Sequence, residues 1–326
     1  MAGGPGSPAL AVAAGRAGSL GFVAGGYKSP QELAEQIAAT AAAGVPFGVN
    51  VFAPNAVPVD AVAYRRYAEF MAVEADRYGI AIDVNAPPIE DDDGWRDKLD
   101  VLRAYAVPVV SFTFGVPSRD DLALLRKTGA LLLQTVTNAD EARAAADAGV
   151  DALVVQAAAA GAHYGTFTPA RPIPGPPLTE VVAEIRHAVD RPVIAAGGLA
   201  TPEAVTAAIQ AGAEAVAVGT VLLRSNEAGT SATHRAALAD PNRTATVLTH
   251  AFTGRPARGL RNEFIDRYAG LAPFGYPALH HLTSPLRKAA AAAGDPERVH
   301  LWAGTGFRYA TEEPAADILH RLAGRL

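Results

Sequence analysis

The chain has 326 residues, half of them hydrophobic and 19% charged, with a formal net charge of −5. That size suits one barrel with an appendage around a large buried core, and an acidic balance without a basic stripe argues against nucleic acid as a partner. Cysteine is absent, which excludes disulfides, thiolate metal sites and a cysteine nucleophile.

From residue 7 to about 223, short apolar runs alternate with Ala-rich helical stretches. The strand candidates are 20–24, 47–52, 107–113, 130–136, 152–156, 192–196 and 215–219. Most are nearly continuous apolar runs, as parallel strands buried on both faces require. Helix starts are marked by Ser29-Pro30-Gln31-Glu32, Asn138-Ala139-Asp140-Glu141 and Thr201-Pro202-Glu203. Gly44, Gly149 and Gly212 stand where helices should stop. The pattern predicts a TIM (β/α)8-type barrel, but a closed barrel needs one strand more than these. Residues 1–4 read as the loop that would follow a strand, so the first strand is expected to be missing and the barrel open.

Beyond 223 the pattern becomes helical and loop-rich, with the cluster Thr253-Gly254-Arg255-Pro256-Ala257-Arg258-Gly259. The expected division is a barrel over 1–223, a helical subdomain over 224–300 on the barrel mouth, and a segment 301–326 packing back. That last segment holds a final helix near 314–322. Residues 87–94 read as an exposed loop, whose acidic run 90–93 is a solvated face rather than a metal site. No metal is expected. No run reaches the roughly 18 apolar residues of a membrane span, and the N-terminus lacks the features of a signal peptide. The expectation is a cytoplasmic protein without membrane partners, with homo-oligomerisation left open.

Active sites in such barrels form at the C-terminal strand ends, with phosphate bound after the last two strands. There the chain places Ala196-Gly197-Gly198 before a helix start, and Val218-Gly219-Thr220. Glycines let backbone N–H groups approach a phosphate, and a helix N-terminus favours its charge; alone, each pair could equally make a tight turn. The 152–156 strand ends at Gln156 and runs through Gly161 to His163, a histidine placed for general acid–base work. His187 and His320 read as exposed helix residues. His234, His250, His280, His281 and His300 read as structural or surface groups. Asn50, Gln134 and Gln156 offer strand-end amides that could meet a heterocycle edge or a neighbouring loop.

These segments resemble the nitronate monooxygenase family, also called 2-nitropropane dioxygenases. The likeness runs through Met1-Ala2-Gly3-Gly4, Gly18-Ser19-Leu20-Gly21-Phe22, Gly26-Tyr27 and Pro46–Phe52. It continues in Pro192–Gly198, Gly212–Thr220, Gly254–Gly259 and Trp302-Ala303-Gly304. The resemblance implies FMN as cofactor, with Gly197, Gly198, Gly219 and Thr220 at its phosphate. Asn50, Gln134, Gln156 and Gly161 would line the ring and ribityl chain, Ala2 and Gly3 would pass beneath the ring, and His163 would be the catalytic histidine. It implies oxidative denitrification of alkyl nitronates, or nitroalkanes, with O2 to a carbonyl compound and nitrite. The alternatives are an FMN-dependent NAD(P)H reductase acting on enoyl thioesters or quinones, and a non-catalytic flavin-binding barrel. Three departures bear on substrate choice: the family's Glu before the catalytic histidine is Ala159 here, the Gln before its Met-Gly-Thr segment is Ala217, and a tail Gln is Thr305.

Overall fold

The computed structural model describes residues 1–173 and 175–324. Its main sheet is a parallel ladder. The first strands are β1 (Gly21–Ala24), β2 (Phe47–Ala53), β3 (Val109–Phe114), β4 (Leu131–Val136) and β5 (Ala152–Gln156). After a two-residue strand β6 (Ala162–His163), the ladder resumes with β7 (Val193–Ala196) and β8 (Ala215–Ala217). The order is β1-β2-β3-β4-β5-β7-β8, which leaves β1 and β8 as open edges. Each of the seven apolar runs in the sequence is therefore a strand of one curled, open sheet. Met1 lies at its β8 side, where a Cβ on Gly219 would meet the Met1 sulfur at 3.4 Å.

The helices surround this sheet. They are α1 (Pro8–Arg16), α2 (Pro30–Ala41), α3 (Ala61–Asp76), α4 (Trp95–Ala104), α5 (Arg119–Arg126), α6 (Ala139–Ala148), α7 (Leu178–Ala188) and α8 (Pro202–Gln210). Ser29 and Glu32 form a reciprocal capping box at α2, and Pro30 takes the first turn, where its missing N–H costs nothing. Gly149 ends α6 at φ 99°, a conformation that favours glycine. On the outer sheet face Val49, Val51, Val110 and Phe112 pack with Leu33 and Ile37 of α2, Leu99 and Leu102 of α4, and Leu122 and Leu125 of α5. Each such side chain contributes about 1.5–3 kcal/mol by burial, so this layer fixes the strand ends that carry the site.

The region after 223 is not purely helical. It contains α9 (Ala232–Ala239), β9 (Thr246–Thr249), β10 (Ala257–Leu260), α10 (Glu263–Tyr268), α11 (Ala278–Ala292) and α12 (Ala315–Ala323). β9 and β10 join β6 in a small antiparallel sheet ordered β6-β10-β9. The Gly/Arg/Pro cluster that reads as loop thus supplies an edge for the loop after β5, with Ala257 paired to His163. Residues 87–94 form a largely exposed loop as expected, with one departure. Asp93 turns inward, accepts from the Tyr27 N–H at 3.0 Å and pairs at 2.6 Å with Lys98, whose side chain is 1% exposed. Among the described residues no group of His, Asp and Glu could hold a metal ion, and no helix is long and apolar enough to cross a membrane.

Candidate active site

A cavity of about 810 Å³ opens at the C-terminal ends of the parallel strands. The chain start contributes Ala2 and Gly3 to its wall, β2 contributes Asn50, and β5 with its loop contributes Gln156, Gly161 and His163. Gly197 and Gly198 after β7, and Gly219 and Thr220 after β8, complete it. Gln134 does not reach the wall. It pairs in register with Phe112, whose ring packs edge-on against Trp95 of α4. Strand alternation therefore turns Gln134 toward the helix layer and Thr135 inward, 3.4 Å from the Thr113 hydroxyl.

Gly197 and Gly198 have φ of 110° and 75°, backbone that L side chains adopt rarely. A Cβ on Gly197 would stand 3.0 Å from both Ala157 O and Ala160 N. The bare backbone here runs directly into α8, capped by Thr201. Such a pair of positive-φ glycines ahead of a helix start is an anion cradle, and no Asp or Glu lines the cavity to oppose a bound phosphate. The residues present therefore fit a phosphate-bearing cofactor. Thr220 Oγ1 accepts from Gly304 N at 2.9 Å, which ties the tail to this cradle.

The amides at the strand ends are largely committed to the protein. Gln156 bridges the two sides of the loop it starts: Gly165 N donates to its Oε1 at 2.7 Å, and its Nε2 donates to His163 O at 3.2 Å. Asn50 Nδ2 reaches Thr113 Oγ1 at 3.0 Å and Ser111 Oγ at 3.2 Å. These bonds position the wall, and above all they hold the His163 backbone.

His163 Nε2 lies 2.9 Å from Thr253 Oγ1, and that hydroxyl donates to Arg255 O at 3.2 Å. One hydroxyl proton serves both contacts: with it on the Arg255 carbonyl, Thr253 Oγ1 accepts from Nε2–H and Nδ1 keeps its lone pair. Nδ1 faces the Tyr27 hydroxyl at 3.5 Å, a long and weak contact. Phe114, Tyr276 and Trp302 ring the imidazole, each with its ring centre 5.6 to 5.7 Å away. Burial in this aromatic cage, aided by the nearby Arg255 and Arg287 charges, pushes the His163 pKa down to about 3. The imidazole is neutral at ordinary pH; the same burial makes it a weak base, so a proton taken at Nδ1 has to be held there by an anion bound beside the ring.

Several wall residues lie outside the set expected from sequence. His280 stacks on the Tyr27 ring at 4.0 Å, and His234, His300 and Arg287 line the same cavity. These groups come from α9, α11 and the segment before Trp302, far from any strand end. Arg255 is sealed behind the cage, its guanidinium 4.0 Å above the Phe114 ring and bonded to the Thr166 carbonyl.

The profile of the family described as nitronate monooxygenase matches residues 1–324. A protein of Staphylococcus aureus (strain Newman), named probable nitronate monooxygenase, is 35% identical over 98% of this chain and 91% of its own length. The solved structure of a nitroalkane oxidase from Streptomyces ansochromogenes superposes with a TM-score of 0.93 at 45% identity, over 100% of this chain and 93% of that one. FabK from Thermotoga maritima superposes with a TM-score of 0.76 at 25% identity, covering 100% and 90% of the two chains.

Proposed function

The chain belongs to the nitronate monooxygenase family, an oxidoreductase family, and from that premise we propose that it oxidises alkyl nitronates and neutral nitroalkanes with O2 on bound FMN, releasing a carbonyl compound and nitrite. The observation that carries this reading is the buried His163, held by Nε2 at 2.9 Å from Thr253 Oγ1, in a cavity wall that also holds the Gly197–Gly198 and Gly219–Thr220 backbone. Gly197, Gly198, Gly219 and Thr220 would hold the cofactor phosphate, while Ala2, Gly3, Asn50, Gln156 and Gly161 would lie along its body. FMN would supply the electron-accepting chemistry.

The protein's own contribution is binding and proton transfer. The α-carbon of a nitroalkane is acidic because its conjugate base spreads charge onto two nitro oxygens. A neutral imidazole can take that proton at Nδ1, with Thr253 holding the ring by its other nitrogen. A nitronate arrives already deprotonated and skips this step. The aromatic cage of Phe114, Tyr276 and Trp302 limits water around the reacting carbon.

The test is an absorption spectrum of the purified protein with FMN, taken anaerobically before and after a nitronate is added. Bleaching by nitronate, and not by NADH or NADPH, is the expected result. Rapid bleaching by NAD(P)H alone would favour the reductase reading. A protein that takes up no flavin would be a non-catalytic barrel.

A further inference from the structure

Among the described residues the cavity wall carries Lys28, Arg287 and Lys288 and no carboxylate. Arg287 stands out among these because it is 6% exposed and among the described residues no Asp or Glu pairs with it. Its Nε donates to Thr283 Oγ1 at 3.0 Å. One terminal nitrogen donates to His280 O at 2.9 Å and lies 3.3 Å from His280 Nδ1. The other has only a 3.4 Å contact with His300 Nε2. A buried cation without a counter-charge is strongly unfavourable, so a purely structural link between these groups would be better made by a neutral side chain.

Two further polar atoms of the same cavity wall are left over: among the described residues His300 Nδ1 and His234 Nε2 are buried without a hydrogen-bond partner. Arg255, the other guanidinium near His163, gives a useful contrast: it too has no carboxylate, but it is 0% exposed, stacked on Phe114 and absent from the cavity wall. Of these two guanidiniums, Arg287 is the one that lines the cavity. Arg287 is connected to the proton-accepting group through His280, which touches it and stacks on Tyr27, whose hydroxyl faces His163 Nδ1.

We propose that Arg287 is the substrate-binding residue that receives the two oxygens of the nitro or nitronate group, with the His300 imidazole beside it, in a site separate from the glycine cradle for phosphate. Guanidinium matches a planar two-oxygen anion by its fork of N–H donors. The same geometry holds a nitronate directly and stabilises the charge that reaches a nitro group as its α-proton leaves. The proposal rests on the nitronate reading above and assigns it the residue that would recognise the anion.

The experiment compares wild-type holoenzyme with R287Q and R287K for FMN affinity, KM and kcat on a nitronate, and the change in flavin absorption on titrating nitrite or acetate. In R287Q the nitronate KM and the nitrite and acetate dissociation constants should each rise by roughly tenfold or more, with FMN affinity unchanged. R287K, which keeps the charge but loses the fork, should recover part of the loss. An FMN affinity that falls while anion binding stays intact would assign Arg287 to the cofactor and overturn the proposal. Unchanged KM and anion binding in both variants would reduce Arg287 to a structural link and overturn it as well. If the wild type bleaches with no nitronate at all, the functional reading fails; the nitrite and acetate titrations still decide whether Arg287 makes an anion site.

Discussion

At the scale of single residues the site turns on which nitrogen of His163 carries its proton. Thr253 accepts from Nε2 only when its own hydroxyl proton goes to Arg255 O. His163→Asn should keep the flavin and lose neutral-nitroalkane turnover by about 10²- to 10⁴-fold, the usual worth of a general base, while nitronate turnover falls much less. Steady-state rates on a nitroalkane and its preformed nitronate check this, and equal losses on both would remove proton abstraction from the role of His163. The pH profile follows from the same group. Because burial lowers its pKa to about 3, the base form is present throughout the ordinary range. The kcat/KM for a neutral nitroalkane should therefore stay flat from about pH 5 to 8, without the break near 6.5 that an unperturbed histidine would give. A break there would mean the imidazole is solvated in the working enzyme.

At the scale of elements, His163 is held by a strand that exists only through pairing with β10 and through the tail. Gly161 shows how tight that fit is: a Cβ there would stand 2.5 Å from Gly304 N and 2.6 Å from the Ala303 carbonyl carbon. Gly161→Ala must push the loop after β5 away from the tail, at a cost of about 1–3 kcal/mol. It should reduce nitroalkane turnover at temperatures where the fold survives; thermal melts alongside rates separate the two effects. The parallel strands were legible in the sequence because strands buried on both faces read as unbroken apolar runs. β9 and β10 were not, because Arg258 and Gly259 interrupt any apolar run and the ladder there depends on a distant partner. Gln134 shows a subtler limit. A strand-end amide looks available until its neighbour's register turns it outward, and the alternation of Gln134 with Thr135 was the one local signal. Arg287, His280 and His300 left no signal of their own. α11 reads as an ordinary helix with basic and histidine positions, and only its packing against α3, α9 and the segment that leads to His300 brings these groups to the cavity.

Over the whole molecule, the same packing makes the fold sensitive to acid. Five histidines, His163, His234, His250, His280 and His300, have their pKa values lowered, in every case chiefly by burial, with His163 at about 3 and His234 at about 4. An unfolded histidine titrates near 6.5. Between that value and the lowered folded ones the unfolded chain binds more protons, so stability is full above about pH 6.5 and is lost as pH falls below it. The loss approaches about 1.4 kcal/mol per pH unit for each histidine that must stay neutral. In the upper part of this window, between about pH 6.5 and 5, ordinary carboxylates hardly titrate. The melting temperature should therefore drop steeply from pH 7 to pH 5. His234→Gln isolates one contribution, because His234 lies apart from the His163–Tyr27–His280 contacts and the amide can keep its hydrogen bond to the Trp302 backbone. That variant should show a shallower decline than the parent over the same interval, even if it melts lower at pH 7. Parallel curves for the two proteins would mean that His234 protonates in the folded state without penalty, and that its wall of the cavity is wet rather than dry.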